Sequence, residues 1–216
     1  MKQKAEIGYV TLGMCATNSY FIRGVDGEGK ATDDVIFVDP ADRGDLLYDR
    51  LLEKGLHVKA ILLTHAHFDH IWGVADLVNK SGAKIYAPRA EERMLSNPDM
   101  NLSADYGRPC TVKADTWLED GEEFTLCGHR IKCLLTPGHT EGSACYYFED
   151  SDVLMAGDTL FEESVGRTDF PTGSSSEIVR SIREKLLVLP DDVIVYPGHG
   201  DLTTIGHERQ YNPFVC

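Results

Sequence analysis

Three histidines and an aspartate crowd the segment His65-Ala66-His67-Phe68-Asp69-His70, and two more histidines, His139 and His199, each close a Pro-Gly-His triplet. A further acid, Asp158, follows Gly157 at the end of the apolar run from Val153 to Ala156. Neutral imidazole suits zinc, iron, manganese and cobalt, while a carboxylate adds charge neutralisation and can bridge two ions. In an extended or looped HxH, alternate side chains project the same way, so His65 and His67 can grip a single ion. Asp69 and His70 are offset from that pair and can turn toward a neighbouring position. Seven ligands shared over two cations leave open sites for water. A hydroxide held between metals roughly 3.5–4 Å apart is a strong nucleophile at neutral pH.

The elements that must position these groups are apolar strands, and the groups stand where the strands end. Ala60 to Leu63 runs into the histidine cluster, Ile131 to Leu135 leads to His139, and Val193 to Val195 leads to His199. Five of the eight histidines lie at such exits. Strand ends in a layered fold converge on one rim, where ligands are held. Gly138 and Gly198 offer backbone freedom and close approach, and Thr64, Thr136 and Thr140 are expected to orient ring nitrogens. A lone strand-end histidine is most often structural, and His57, His129 and His207 are read so. Asp39, before Pro40, reads as a turn acid.

Further strands are expected over Ala5 to Leu12, Ser19 to Val25, Val35 to Val38, Lys84 to Ala87, Glu123 to Leu126 and Ala144 to Phe148. The first three read as an antiparallel meander, with DGEGKATDD joining the second to the third. Helices are expected over Ala41 to Lys54, along Ile71, Val74, Ala75 and Val78, over Arg89 to Ser96, and after a capping box at Ser174 and Glu177. The polar stretch from Asn97 to Asp115 reads as a long loop or lid, and a polar tail closes the chain. Strands in two batches, each followed by helices, imply two packed sheets with helices outside.

At 216 residues the chain is expected to be one domain spanning 1–216. Thirty-five acidic against 21 basic residues give a net charge of −14, which repels nucleic acid and anionic membranes. No apolar window approaches the roughly 20 residues of a membrane span. The six cysteines form no CxxC pair and no export segment precedes the first strand. Reduced, mostly buried thiols in a cytoplasmic protein, a monomer or small homo-oligomer, are therefore expected.

THAHFDH, TPGHT, AGDTLF and YPGHG, in that order, resemble the metallo-β-lactamase superfamily along essentially the entire chain. The resemblance implies an α/β (α+β) fold, a four-layer αββα sandwich with the metal site at one edge between the two sheets. It implies that His65, His67 and His139 hold one ion, that Asp69, His70 and His199 hold a second, and that Asp158 bridges. Zinc is the expected metal, with iron or manganese as alternatives. Gly166-Arg167-Thr168-Asp169-Phe170 and Asn212-Pro213-Phe214 are most similar to the short type II glyoxalases, the hydroxyacylglutathione hydrolase-like thioesterases. That likeness implies a small-molecule thioester substrate cleaved by a metal-bridging hydroxide, with Asp69 and Asp158 catalytic and Arg167 binding substrate. The chain departs from full-length enzymes of that type. It stops at Cys216, without their basic helical extension, and Asp169 and Asp201 stand where they carry tyrosines.

The alternative within the fold is a persulfide dioxygenase with one iron on His67, His139 and Asp158, since GRTDF is shared with that class. An RNA-processing nuclease should be basic and carry an added module. A β-lactamase should be exported. A structural zinc protein should use closed, cysteine-rich sites, and none of the six cysteines reads as placed for one.

Overall fold

The apolar runs form two six-stranded sheets in a computed structural model that describes residues 5–215. The first sheet follows chain order: β1 (Ile7–Leu12), β2 (Thr17–Val25), β3 (Ala31–Val38), β4 (His57–Leu62), β5 (Lys84–Pro88) and β6 (Thr116–Leu118). β1 to β3 are the expected antiparallel meander, and β3 to β6 run parallel. Then come β7 (Glu123–Leu126), β8 (His129–Leu135), β9 (Ala144–Phe148) and β10 (Val153–Gly157), followed by a small hairpin of β11 (Leu160–Phe161) and β12 (Ser164–Val165). With β13 (Ile194–Pro197) and β14 (Thr203–Thr204), the second sheet has the order β14-β13-β10-β9-β8-β7.

Period-two alternation assigns each strand residue to a layer. In β3, Ile36 and Val38 point between the sheets, while Val35 and Phe37 point outward. In β9, Ala144, Tyr146 and Phe148 point in and Cys145 and Tyr147 point out. Both faces are covered, so these strands read as unbroken apolar runs. The inner layer joins Tyr20, Ile22 and Leu62 of the first sheet to Ile131, Cys133 and Met155 of the second. The outer face of the first sheet carries α1 (Gly44–Leu52), α2 (Phe68–Ile71), α3 (Val74–Ser81) and α4 (Glu92–Leu95), through Leu51, Val74, Leu77 and Met94. The second sheet carries α5 (Ser175–Ser181), extended by a π turn at Ile182–Leu186, and α6 (Ile205–Tyr211). These layers are the expected αββα sandwich.

Several boundaries differ from expectation. Part of DGEGKATDD is strand: β3 begins at Ala31, and the turn is closed by Asp26, whose carboxylate accepts from the amides of Glu28 and Lys30. α1 starts at Gly44 rather than Ala41, because Arg43 at its N-cap is left-handed at φ 52°. Ser174 caps α5 by accepting from the Glu177 amide, while the Glu177 side chain pairs with Arg180 instead of returning. The polar tail contains β14 and α6. No helix among the described residues is long and apolar enough to cross a membrane. The described cysteines are unpaired; Cys133 and Cys145 are buried, Cys110 and Cys127 partly so, and Cys15 is exposed. Cys216 lies outside the described residues.

Candidate metal centre

Four strand exits meet at one edge because of how the strands are directed. β10 and β13 are parallel neighbours, and β8 runs with β10 because both are antiparallel to β9. The residues after all three therefore emerge together. The first sheet is pinned to that edge where β4 ends. The buried Tyr146 hydroxyl donates to the Leu63 carbonyl at 2.7 Å, and the Ala144 amide donates to the Thr64 carbonyl at 2.9 Å. The start of β2 closes the other side, as the Asn18 amide donates to the Gly198 carbonyl at 2.7 Å.

The seven side chains singled out in the sequence are brought together there. Ligand atoms of His65, His67 and His139 lie within 4.8 Å of one another, and so do those of Asp69, His70 and His199. Asp158 sits between the groups, 3.5 Å from His139 Nε2, 3.3 Å from His199 Nε2 and 3.3 Å from His70 Nε2. Six of the seven are buried; His199 is partly open.

The surroundings fix which ring nitrogen points inward. His139 Nδ1 donates to the Arg167 carbonyl at 2.7 Å, leaving its Nε2 facing His67 Nδ1 at 2.8 Å. Thr64 Oγ1 donates to Asp39 at 2.6 Å and lies 3.0 Å from His65 Nδ1, from which it can accept. His70 Nδ1 donates to the same Asp39 carboxylate at 2.9 Å. As a result His65 Nε2, His67 Nε2, His70 Nε2 and Asp158 Oδ1 are buried with no hydrogen-bond partner. Orphaned polar atoms are costly in a folded protein, and these belong to residues of the two clustered donor sets and to the carboxylate between them, where bound cations would satisfy such atoms.

Electrostatics divide the cage. Burial, reinforced by the other histidines, holds His65 well below the usual imidazole range and His67 down to about 3. Burial lowers His139 too. These rings present lone pairs, as metal ligands must. Burial works against charge on His70, yet Asp158, Asp69 and Asp39 drive it well above its ordinary value. His199 rises to about 9 despite burial through its bonds to Asp158 and Asp69. Burial would raise Asp69, but His70, His199 and Thr17 bring it down to about 2. Asp158 is likewise held well below the carboxylate range by His70 and His199. Carboxylates that draw protons onto neighbouring histidines would draw a divalent ion in their place.

Beside the cage opens a cleft of about 370 Å³. The sequence profile of the metallo-β-lactamase superfamily matches residues 12–199, which include all seven side chains. The chain belongs to the metallo-β-lactamase superfamily. With its histidine and carboxylate cage, it is a metal-dependent hydrolase of that superfamily. Hydroxyacylglutathione hydrolase GloC of Haemophilus influenzae is 36% identical over 182 residues, covering 82% of this chain and 85% of that protein. Among solved structures, BLEG-1, a B3 metallo-β-lactamase, superposes with a TM-score of 0.89 at 37% identity, covering 97% of this chain and 99% of that one. TTHA1623, solved in a di-iron-bound form, superposes at 0.82 with 34% identity, covering 96% and 99%.

Other features of the superfamily site differ from the sequence reading. Asp39 is no mere turn acid: buried and left-handed at φ 48°, it accepts from the Thr64 amide, the Thr64 hydroxyl and His70. Of the three threonines expected to orient rings, only Thr64 touches one; Thr136 bonds Thr159, and Thr140 bonds Glu91. Glu91, fully buried, accepts from the Ala66 amide, the Thr140 hydroxyl and the Gly142 amide, which ties the HAH loop to the loop after His139. Cys15, in the turn after β1, lines the cleft, so one cysteine does stand at the site. The segment 97–115 is a fastened wall. Asn101 accepts from the Phe68 amide, Trp72 donates to the Arg108 carbonyl, and Arg108 pairs with Asp42 at 2.7 Å. Gly138 is left-handed at φ 142°, as expected, whereas Gly198 is required by space alone: a Cβ there would collide with Asp158 Oδ1. The three remaining histidines lie apart; His129 donates to the Arg23 carbonyl and His207 pairs with Glu163.

Proposed function

We propose that the protein is a thioester hydrolase of the hydroxyacylglutathione hydrolase type. His65, His67 and His139 would hold one divalent ion, zinc by expectation, and Asp69, His70 and His199 a second, with Asp158 shared. The observation that carries this reading is the convergence of the two donor sets with Asp158 between them, where His65, His67, His70 and Asp158 each keep a buried atom with no hydrogen-bond partner. Metal ions bound there polarise a carbonyl and lower the pKa of water, so no protein nucleophile is needed.

The chain's own groups set the geometry. Asp39 keeps the His70 Nδ1 proton in place, and the Arg167 carbonyl does the same for His139, so both rings present Nε2. Thr17 holds Asp69 by donating to Oδ2 at 2.8 Å. Asp69 thus faces the cage at a fixed angle, where it can accept a proton from an attacking water. Phe68, Leu102 and Phe170 keep water off one side of the cleft, which strengthens every charge interaction inside.

The thioesterase reading draws on GloC, and a competing one draws on the likeness to BLEG-1. Turnover by the metal-loaded protein of S-lactoylglutathione and other thioesters, beside a β-lactam such as nitrocefin, decides between them. Thioester cleavage with an inert β-lactam is the expected result; the reverse pattern overturns the thioesterase.

A further inference from the structure

Away from the cage residues, the wall of the cleft is mainly apolar and carries a single charged side chain. Outside the seven cage residues, its wall is Phe68, Leu102, Tyr106, Phe161, Val165 and Phe170, with Cys15, Ser164 and Arg167 completing it. The aromatic part is built as a unit. Tyr106 lies against Phe68, tilted by 31°, at a centroid distance of 4.2 Å, Phe68 touches Trp72 at 4.5 Å, and Phe170 meets His67 edge-on at 5.4 Å. Tyr106 still leaves 47% of its surface open, so the shelf has apolar area free for a ligand.

Arg167 is the single cation on that wall, and it is already engaged. Its Nε and Nη2 each donate to the Asp169 carboxylate at 2.7 Å, and its guanidinium lies 3.9 Å above the Phe170 ring centre. To take the bidentate Nε–Nη2 edge, a substrate carboxylate would have to displace Asp169, exchanging one exposed ion pair for another with little net gain. A carrier with several carboxylates would also approach a protein of net charge −14.

Resting on the hydrolase reading above, we propose that the preferred substrate is a thioester bearing an apolar, flat group next to the scissile carbonyl–sulfur bond, seated on a shelf of Tyr106 and Phe170 backed by the buried Phe68, and that Asp169 sets this preference by occupying Arg167. Hydrolysis adds water across the C–S bond: the acyl carbon gains the hydroxyl and the sulfur leaves as thiol.

The test compares kcat/KM of the metal-loaded protein for S-lactoylglutathione, its lactoyl thioester of benzyl mercaptan, and the benzoyl thioester of N-acetylcysteamine. The two apolar substrates should exceed S-lactoylglutathione by roughly tenfold to a hundredfold, the factor given by burying one ring's worth of apolar surface. Tyr106→Ser should narrow that gap. Asp169→Asn, at an exposed position, should free Arg167 and raise kcat/KM for S-lactoylglutathione by roughly up to fivefold, leaving the apolar pair little changed. S-lactoylglutathione cleaved as fast as the apolar pair by the unaltered protein overturns the preference while leaving the hydrolase standing. An unresponsive Asp169→Asn removes Asp169 from the proposal. Inertness toward all three overturns the hydrolase reading itself.

Discussion

Asp39 and Glu91 hold the ligands of the cage without touching the cleft, and each makes a sharp prediction. An asparagine at 39 would turn an amide N–H toward donors, since both Asp39 oxygens accept, one from the Thr64 amide and the other from the Thr64 hydroxyl and His70. Asp39→Asn should lose about 10- to 100-fold in metal affinity, read by competition with a chromogenic chelator; unchanged affinity would remove Asp39 from the site. Burial lifts the Glu91 carboxyl to about 7 from an ordinary 4.5, against the pull of Thr140, Ala66 and Gly142. Between those values the folded chain binds more protons than the unfolded one, so this group's contribution falls as pH rises through the window. Glu91→Gln should flatten that part of the urea stability profile and cost about 1–3 kcal/mol through a mismatched donor. A profile of the same slope and midpoint would refute the role. The ligands were legible because histidine is rare and clusters at strand ends. Asp39 and Glu91 were not, because their partners lie 25 to 51 residues away and a buried acid has no local signature.

At the scale of elements, the Pro-Gly-His exit of β13 is the tightest point of the cage. A methyl group at position 198 would collide with Asp158 Oδ1 and come within 2.7 Å of His70 Cε1. Gly198→Ala should therefore keep its circular dichroism spectrum and melting cooperativity while losing at least one ion per chain. Full metal loading in that variant would contradict the packing described. The long apolar strands were readable from the sequence because burial on both faces writes continuous runs. β6 and β14 span only three and two residues, too short for any period to register. In α6 the buried positions are Ile205 and the charged Glu208, so its inward face does not look apolar. The segment 97–115 read as a lid because its composition is polar; its anchoring through Asn101 and Arg108 is a tertiary fact.

At the scale of the molecule, the cage joins two sheets, and cations bound there would replace the protons that its carboxylates draw onto His70 and His199. Metal bound to the folded state alone should stabilise the whole sandwich. Stripping it with a chelator should lower Tm by roughly 10 °C, reversed on adding metal back, and an unmoved Tm would show that the cage contributes nothing to the fold. The sandwich and its metal edge were legible because strand order and strand-end chemistry are both local. Of the cleft wall, Arg167 and Phe170, within GRTDF, Phe161, within AGDTLF, and Phe68, within the histidine cluster, stood out; Cys15, Leu102 and Tyr106 come from separate loops with no local signature. The most direct measurement is elemental analysis of the protein purified without added metal, beside Asp158→Ala prepared identically. The account predicts close to two transition-metal ions per chain in the first, and a clear deficit with turnover at background in the second. A metal-free protein that still turns over its substrate, or an Asp158→Ala variant with full metal and full activity, would contradict it.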